Sequence, residues 1–301
     1  MTAGDLFDRE LLVVTGKGGV GKTTVATALA LAAVRRGRRV IVAEVAARDD
    51  VSRVLGEEAE PFAERELPGG VHHISIDPEQ ALAEYVRDQL PGALASLLIA
   101  SRSMGLLAAA TPGLRELLSI GKVWELAQDA RRTPGALPYD LVILDAPATG
   151  HGVAILQAPA TFAQAAHGGP VARQAGIIDA LVRDGERTAV VAVTQAQEMP
   201  VSETLELRDA LRAAIGLDLA RVVVNAVAPA RFTAAEVQEV SRAVGSGAAR
   251  AVAWQHRLAS AQRGQIARLR RGLDGVAVQT LPFRAAPRLG REDLDALAAR
   301  L

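Results

Sequence analysis

Eleven residues, "VTGKGGVGKTT" from Val14 to Thr24, constrain the fold of this chain more than any other stretch. The apolar run "ELLVVTG" before them reads as a buried strand, and "KTTVATALALAAVRRG" after them has Ala/Leu-rich helical spacing stopped by Gly37. Between the two, Gly16 to Thr23 satisfies G-x-x-x-x-G-K-[ST] in the strand–loop–helix context that the pattern requires. Gly16, Gly18, Gly19 and Gly21 leave room for backbone N–H groups, together with that of Val20, to converge on the β- and γ-phosphates of a nucleotide. The helix that starts beside Thr23 and Thr24 adds its positive dipole end. Lys22 is placed to neutralise phosphate oxygens, and Thr23 to present its hydroxyl to Mg²⁺. A loop of this kind binds a triphosphate such as ATP; it does not by itself hydrolyse one.

The remaining apolar runs extend this βαβ start into a larger sheet. "RRVIVAEV", "VHHISID", "YDLVILDAP", "TAVVAVTQ", "RVVVNAV" and "GVAVQTLPF" read as further strands, most of them separated by helical patterns. The expected fold is therefore α/β: a doubly wound, mostly parallel sheet with helical insertions, forming one domain over 1–301. Residues 78–132 hold no convincing strand and read as a helical insertion, and residues 150–185 as a second helical segment. Within the first, 92–110 is apolar nearly all round, through Leu97, Leu98, Ile99, Met104, Leu106 and Leu107. Such a segment is core, an oligomer interface, or a groove for a hydrophobic client helix.

Composition narrows the function classes. Lys+Arg and Asp+Glu stand at 34 each, a formal net charge of zero, which argues against nucleic acid as the main partner. There is no cysteine, so disulfides and thiolate metal sites are excluded. The acidic, polar start "MTAGDLFDRE" is unlike a leader, and no apolar run approaches the ~18 residues of a membrane span, so a soluble cytoplasmic protein is expected. The basic residues are almost all arginine; lysine occurs only at 17, 22 and 122. Two lysines within six residues, in a chain that otherwise uses arginine, suit a site needing compact ammonium groups.

A second constellation supports the loop. "LVILDAPATGH" is a buried strand ending in Asp145, an acid placed to hold Mg²⁺ through water. The form "GKGGVGKTT" resembles the deviant phosphate loop of the ParA/MinD/nitrogenase-iron-protein ATPases, and "DAPATGH" resembles the switch of one branch of that class. That branch comprises the arsenite-pump ATPase ArsA and the ATPases that deliver tail-anchored membrane proteins. "SIDPEQALAEYVRDQL", "TPGLRELLSIGKVWEL", "MPVSETLELRDALRAAIGLDLARVVVNAV" and "LPFRAAPRLGREDLDALAARL" are similar to further segments of the family, so the likeness covers essentially the whole chain. "AHGGPVARQAG" is similar to a bacterial ArsA-like subset. The resemblance implies a dimeric Mg-ATP-dependent ATPase in which Lys17 reaches the partner's nucleotide. It further implies that Thr149, Gly150 and His151 form the switch, that Asn225 contacts adenine, and that Pro282 and Phe283 border the base.

The sequence also departs from the family. Where the family reads T-D-P-A after the second strand, with an aspartate that orients the attacking water, this chain reads "VAEVAARDD" and has Ala46. Glu44, two residues earlier, shares that face of the strand. It either takes over the catalytic role, or is a buried structural acid or a contact to the switch loop after Asp145. Asp49 and Asp50 read as a helix N-cap and first-turn acid. Without a C-x-x-C there is no zinc-linked dimer and no thiolate site for arsenite. One phosphate loop per chain calls for a homodimer or a heterodimer with an ArsA-like paralogue. His72 and His73 point to opposite faces of their strand and do not form a metal pair, and Trp124 and Trp254 read as packing anchors.

Overall fold

A computed structural model describes residues 5–45, 49–58, 60–99, 111–133, 135–166, 168–243 and 245–301. Eight strands form one sheet: β1 (Leu11–Thr15), β2 (Val40–Val45), β3 (Arg65–Leu67), β4 (Val71–Ile76), β5 (Leu141–Asp145), β6 (Thr188–Gln195), β7 (Arg221–Val227) and β8 (Ala277–Pro282). Their spatial order is β3-β4-β2-β5-β1-β6-β7-β8, and every neighbouring pair is parallel except β3 with β4. Parallel neighbours require crossovers, which the helices provide. These are α1 (Lys22–Val34), α2 (Asp50–Val54), α3 (Pro78–Gln89), α4 (Gly92–Ile99), α5 (Leu114–Leu126), α6 (Thr149–Ala165), α7 (Gly169–Arg183), α8 (Glu198–Ile215), α9 (Ala234–Ala243), α10 (Ser246–Gly272) and α11 (Arg291–Ala298).

Period-two alternation with both faces buried explains the apolar runs. In β1, Leu11 and Val13 pack into one core with Ile120 of α5, Leu156 of α6, Ile178 of α7 and Leu211 of α8. Leu12 and Val14 point the other way, to Val25 and Leu29 of α1 and Leu294 and Leu297 of α11. A central strand covered on both sides is what a doubly wound sheet demands. β1 lies between β5 and β6, so the loop after it opens at the carboxyl edge, beside the ends of both neighbours.

The expected strands are present, with one addition. β3 is three residues long and pairs antiparallel with β4 at the sheet edge, too short for alternation to reveal. Residues 78–132 contain α3, α4 and α5, and Asp77 caps α3 by accepting from the N–H groups of Glu79 at 2.8 Å and Gln80 at 3.4 Å. Met104, Leu106 and Leu107 lie outside the described residues. Helices α6 and α7 fill 149–183 and are separated near Gly168, whose φ of 123° favours glycine. Trp124 packs against the core as expected, but Trp254 does not: it is 58% exposed. The buried stripe of α10 runs through Ala259, Gln262, Ile266 and Leu269, and Trp254 falls off that face.

Candidate functional site

The phosphate loop connects β1 to α1, and its glycines are required by what surrounds them. Gly16 has φ 144°, and a Cβ there would lie 2.1 Å from the Val193 carbonyl oxygen of β6. Gly21 has φ 92° at the N-cap of α1, and a Cβ would lie 2.2 Å from Asn225 Nδ2. A side chain at Gly16 would meet the β6 backbone, and one at Gly21 would displace the Asn225 amide and strain a left-handed backbone. Lys22, 7% exposed, folds back so that Nζ donates to the Lys17 carbonyl at 3.2 Å. That bond ties the start of α1 back to the second residue of the loop.

Two strands supply the rest. Thr23 Oγ1 donates to Asp145 Oδ2 at 2.5 Å, joining the first turn of α1 to the end of β5, with Asp145 1% exposed. Both groups are hard oxygen donors, the set that Mg²⁺ takes. On the other side, Asn225 of β7 donates from Nδ2 to the Val20 carbonyl at 3.0 Å, while its Oδ1 accepts the Ala226 N–H at 2.9 Å. In this state Asn225 clamps the phosphate loop. Pro282 ends β8 opposite Val227, and Phe283 follows, 57% exposed. From β1 through β6 and β7 to β8 the carboxyl edge thus runs from the loop to Phe283, a span of about 14 Å at the usual strand spacing.

A family model described as anion-transporting ATPase matches residues 9–167, more than half of the 301 residues. The chain belongs to the anion-transporting ATPase family. It is 35% identical to ATPase BagA of Mycobacterium tuberculosis over 246 residues, covering 77% of this chain and 68% of that protein. It is 30% identical to an arsenical pump-driving ATPase of Escherichia coli over 241 residues, 73% of this chain and 40% of the relative. ATPase GET3 of Chaetomium globosum is 33% identical over 162 residues, 51% of this chain and 44% of its own length. The resemblance read from the loop and the "DAPATGH" segment thus agrees with the family match.

The "ATGH" segment after Asp145, expected from the resemblance to be a switch, begins α6. The His151 N–H bonds to the Ala148 carbonyl at 3.0 Å, which makes Thr149, Gly150 and His151 the first turn, four residues beyond Asp145. An open groove of about 560 Å³ runs between that turn, Gly18 of the loop, and Glu203, Glu206 and Leu207 of α8. Lys17 lies beside it and forms an ion pair with Glu203, the two side chains being about one third exposed (34% and 29%). Glu203 is a residue that sequence reasoning did not assign. The available signal was an acid one turn into the helix that follows β6, the strand next to β1.

Glu44 is placed differently from the groups above. It is fully buried (0%), and its carboxylate accepts the N–H groups of Val51 at 2.9 Å and Asp50 at 3.2 Å. Its Oε2 also bonds His73 Nε2 at 2.8 Å, while His73 Nδ1 meets Ser52 Oγ at 3.0 Å. The tautomer protonated at Nε2 donates to Glu44 and accepts the serine hydroxyl. Glu44 therefore caps α2 from the neighbouring strand, a task expected of Asp49; Asp49 holds the N-cap position but its side chain makes no cap bond. Asp50 is a first-turn acid, paired with Arg53 at 2.6 Å. Ala46 lies outside the described residues.

At the opposite end of the sheet, a buried polar network joins the helical layer to the β4 edge. Arg131, with a side chain 1% exposed, bonds Glu64 at 2.7 Å and Glu125 at 3.1 Å, and Lys122 bonds Glu125 at 3.0 Å and Glu84 at 2.8 Å. Burial would raise the Glu125 carboxyl, but the hydrogen bonds from Arg131 and Lys122 outweigh it and hold the group below its usual range. Tyr139 donates to Glu64 at 2.9 Å, and burial, reinforced by the Glu64 charge, pushes its hydroxyl up to about 12. His72 packs its ring edge-on to Tyr139 at 5.2 Å and faces away from His73, and burial lowers it. Glu84, Lys122 and Glu125 of this network also line a cavity between α3, α5 and α7.

Proposed function

We propose that the chain binds Mg-ATP in the Gly16–Thr24 loop and hydrolyses it as one half of a site completed by a second chain. The observation that carries this reading is the meeting of a glycine loop closed on β6 and β7, Lys22 folded over it, and Thr23 bonded to Asp145. Loop N–H groups and Lys22 hold the phosphates. Thr23 and Asp145 would hold magnesium, Asp145 through water; the ion, when bound, supplies charge neutralisation at the triphosphate. Asn225, Pro282 and Phe283 line the direction in which the base extends. The turn of Thr149, Gly150 and His151 follows Asp145 directly, which suits a segment that reorders with the γ-phosphate.

Lys17 supports the two-chain reading. A cation at the lip of the loop, held by Glu203 beside an open groove, can be delivered to a partner's phosphate as an arginine finger is. Turnover by this chain is slow, because Ala46 brings no acid to the place where the family has one and Glu44 is committed to α2. A heterodimer in which a paralogue supplies faster chemistry is the alternative assembly. A hydrophobic client helix has a candidate seat in an apolar cavity of about 200 Å³ between α3, α5 and α7, lined by Leu82, Leu114, Leu118, Val171 and Ile178. Among the described residues no helix is long and apolar enough to cross a membrane.

Calorimetric titration with ATP, with and without Mg²⁺, tests the site. Exchanging the Asp145 carboxylate for a neutral amide, in an Asp145→Asn variant, removes a charged partner worth about 1.5–3 kcal/mol, so the magnesium enhancement of binding falls by roughly 10- to 150-fold. Lys22→Ala weakens ATP binding with or without the metal. Full magnesium dependence in Asp145→Asn contradicts the assignment.

A further inference from the structure

Helix α10 carries six arginines and no acidic residue in 27 residues, within a chain of zero formal net charge. Its inner face is fixed. Ala259, Ile266 and Leu269 are buried, Gln262 Oε1 accepts the Ala228 N–H at 2.8 Å, and Gln255 Nε2 donates to the Pro229 carbonyl at 3.0 Å. On the opposite side Arg250, Trp254, Arg257, Ala261, Gly264 and Arg271 are all exposed. Their spacing of three, four and seven residues places them along one side over roughly 30 Å at the helical rise per residue, interrupted at Arg268, which bonds Ser202 of α8 at 2.9 Å. Among the described residues neither Arg257 nor Arg271 has an ion-pair partner. The neighbouring helix α9 carries two exposed acids: Glu236 is bonded to the Thr233 N–H and hydroxyl, at 2.7 and 2.8 Å, and Glu239 is offset on the same helix by Arg242.

We propose that this outer face of α10 docks the protein on an anionic lipid bilayer. An exposed indole with an arginine, Arg257, one turn along is the arrangement found at headgroup depth, where the ring enters the interface and guanidinium groups pair with lipid phosphates. The apolar side of α10 is packed into the protein, so Trp254 alone enters the bilayer and the rest of the attraction is electrostatic. Docking is consequently peripheral, reversible and sensitive to salt. A nucleic acid fits less well, because its binding domains carry an overall basic excess that this chain lacks.

The test uses the full chain in a Trp124→Phe background, so that Trp254 is the fluorophore. The protein is mixed with phosphatidylcholine vesicles containing or lacking phosphatidylglycerol, at low and at physiological salt. Binding to the anionic vesicles, with a blue-shifted Trp254 emission that salt reverses, is expected. Each arginine at the surface contributes about fivefold to partitioning, so the double variant Arg257→Gln, Arg271→Gln binds about 25-fold more weakly. Far-UV circular dichroism and ATP binding report that this variant is folded. The proposal is overturned if anionic vesicles do not bind at low salt, or if the double variant binds them as tightly as the parent. It is also overturned if duplex DNA is bound more tightly than the anionic vesicles.

Discussion

Glu44 offers the sharpest internal test, because its two roles have opposite signatures. Its carboxylate accepts from Val51 N–H at 2.9 Å, Asp50 N–H at 3.2 Å and His73 Nε2 at 2.8 Å, at zero exposure. Glu44→Ala strands at least two buried donors, Val51 N–H and the His73 ring, at about 1–3 kcal/mol each, and leaves a cavity. The expected loss is about 3–5 kcal/mol. Glu44→Gln keeps the shape and one acceptor oxygen but aims an amide NH₂ at a donor, so about 1–3 kcal/mol is lost. Urea unfolding followed by circular dichroism reads both as a lower midpoint at constant slope. For a positioning group, turnover per folded molecule in Glu44→Gln changes by less than about threefold. An unchanged urea midpoint with hydrolysis reduced by the ~100-fold or more of a lost general base would refute the capping role.

Two further outcomes follow from the contacts. Glu203→Gln releases Lys17; since the pair is about one third exposed, it is worth no more than about 1 kcal/mol and the melting temperature scarcely moves. The protein concentration giving half-maximal ATPase activity should fall by roughly two- to fivefold, and an unchanged midpoint would show that Glu203 does not restrain Lys17. Tyr139 has a raised folded-state pKa, so its contribution to stability is whole below pH 10 and is lost as the pH rises to about 12. At about 1.4 kcal/mol per unit the loss is at most about 3 kcal/mol, read by urea unfolding between those pH values. Tyr139→Phe should lack that increment, and equal slopes in the two proteins would contradict it.

Much of the fold was legible because its strands are buried on both faces, which leaves uninterrupted apolar runs such as "TAVVAVTQ", observed as β6 over the same residues. β3 was not, since three residues at an edge carry no periodicity. The phosphate loop was legible because glycine positions are dictated by contact, as the 2.1 Å and 2.2 Å approaches at Gly16 and Gly21 show. The partners of Lys17 and Glu44 were not, because Glu203 lies 186 residues from Lys17 and His73 lies 29 from Glu44. Pairings of that kind are set by which helices and strands become neighbours in the fold, and local patterns do not record them. Trp254 was read as an anchor on residue type alone; only the helix's orientation shows that it faces outward.

The most direct measurement of the two-chain site mixes two inactive proteins. Lys17→Ala retains its own loop but has no lysine to offer, whereas Lys22→Ala offers Lys17 but cannot hold its own nucleotide. If Lys17 acts across an interface, equal mixing restores about a quarter of the parental ATPase rate, since half the dimers are mixed and each has one working site. If Lys17 acts only within its own loop, or if the chain works as a monomer, the mixture stays as inactive as its components.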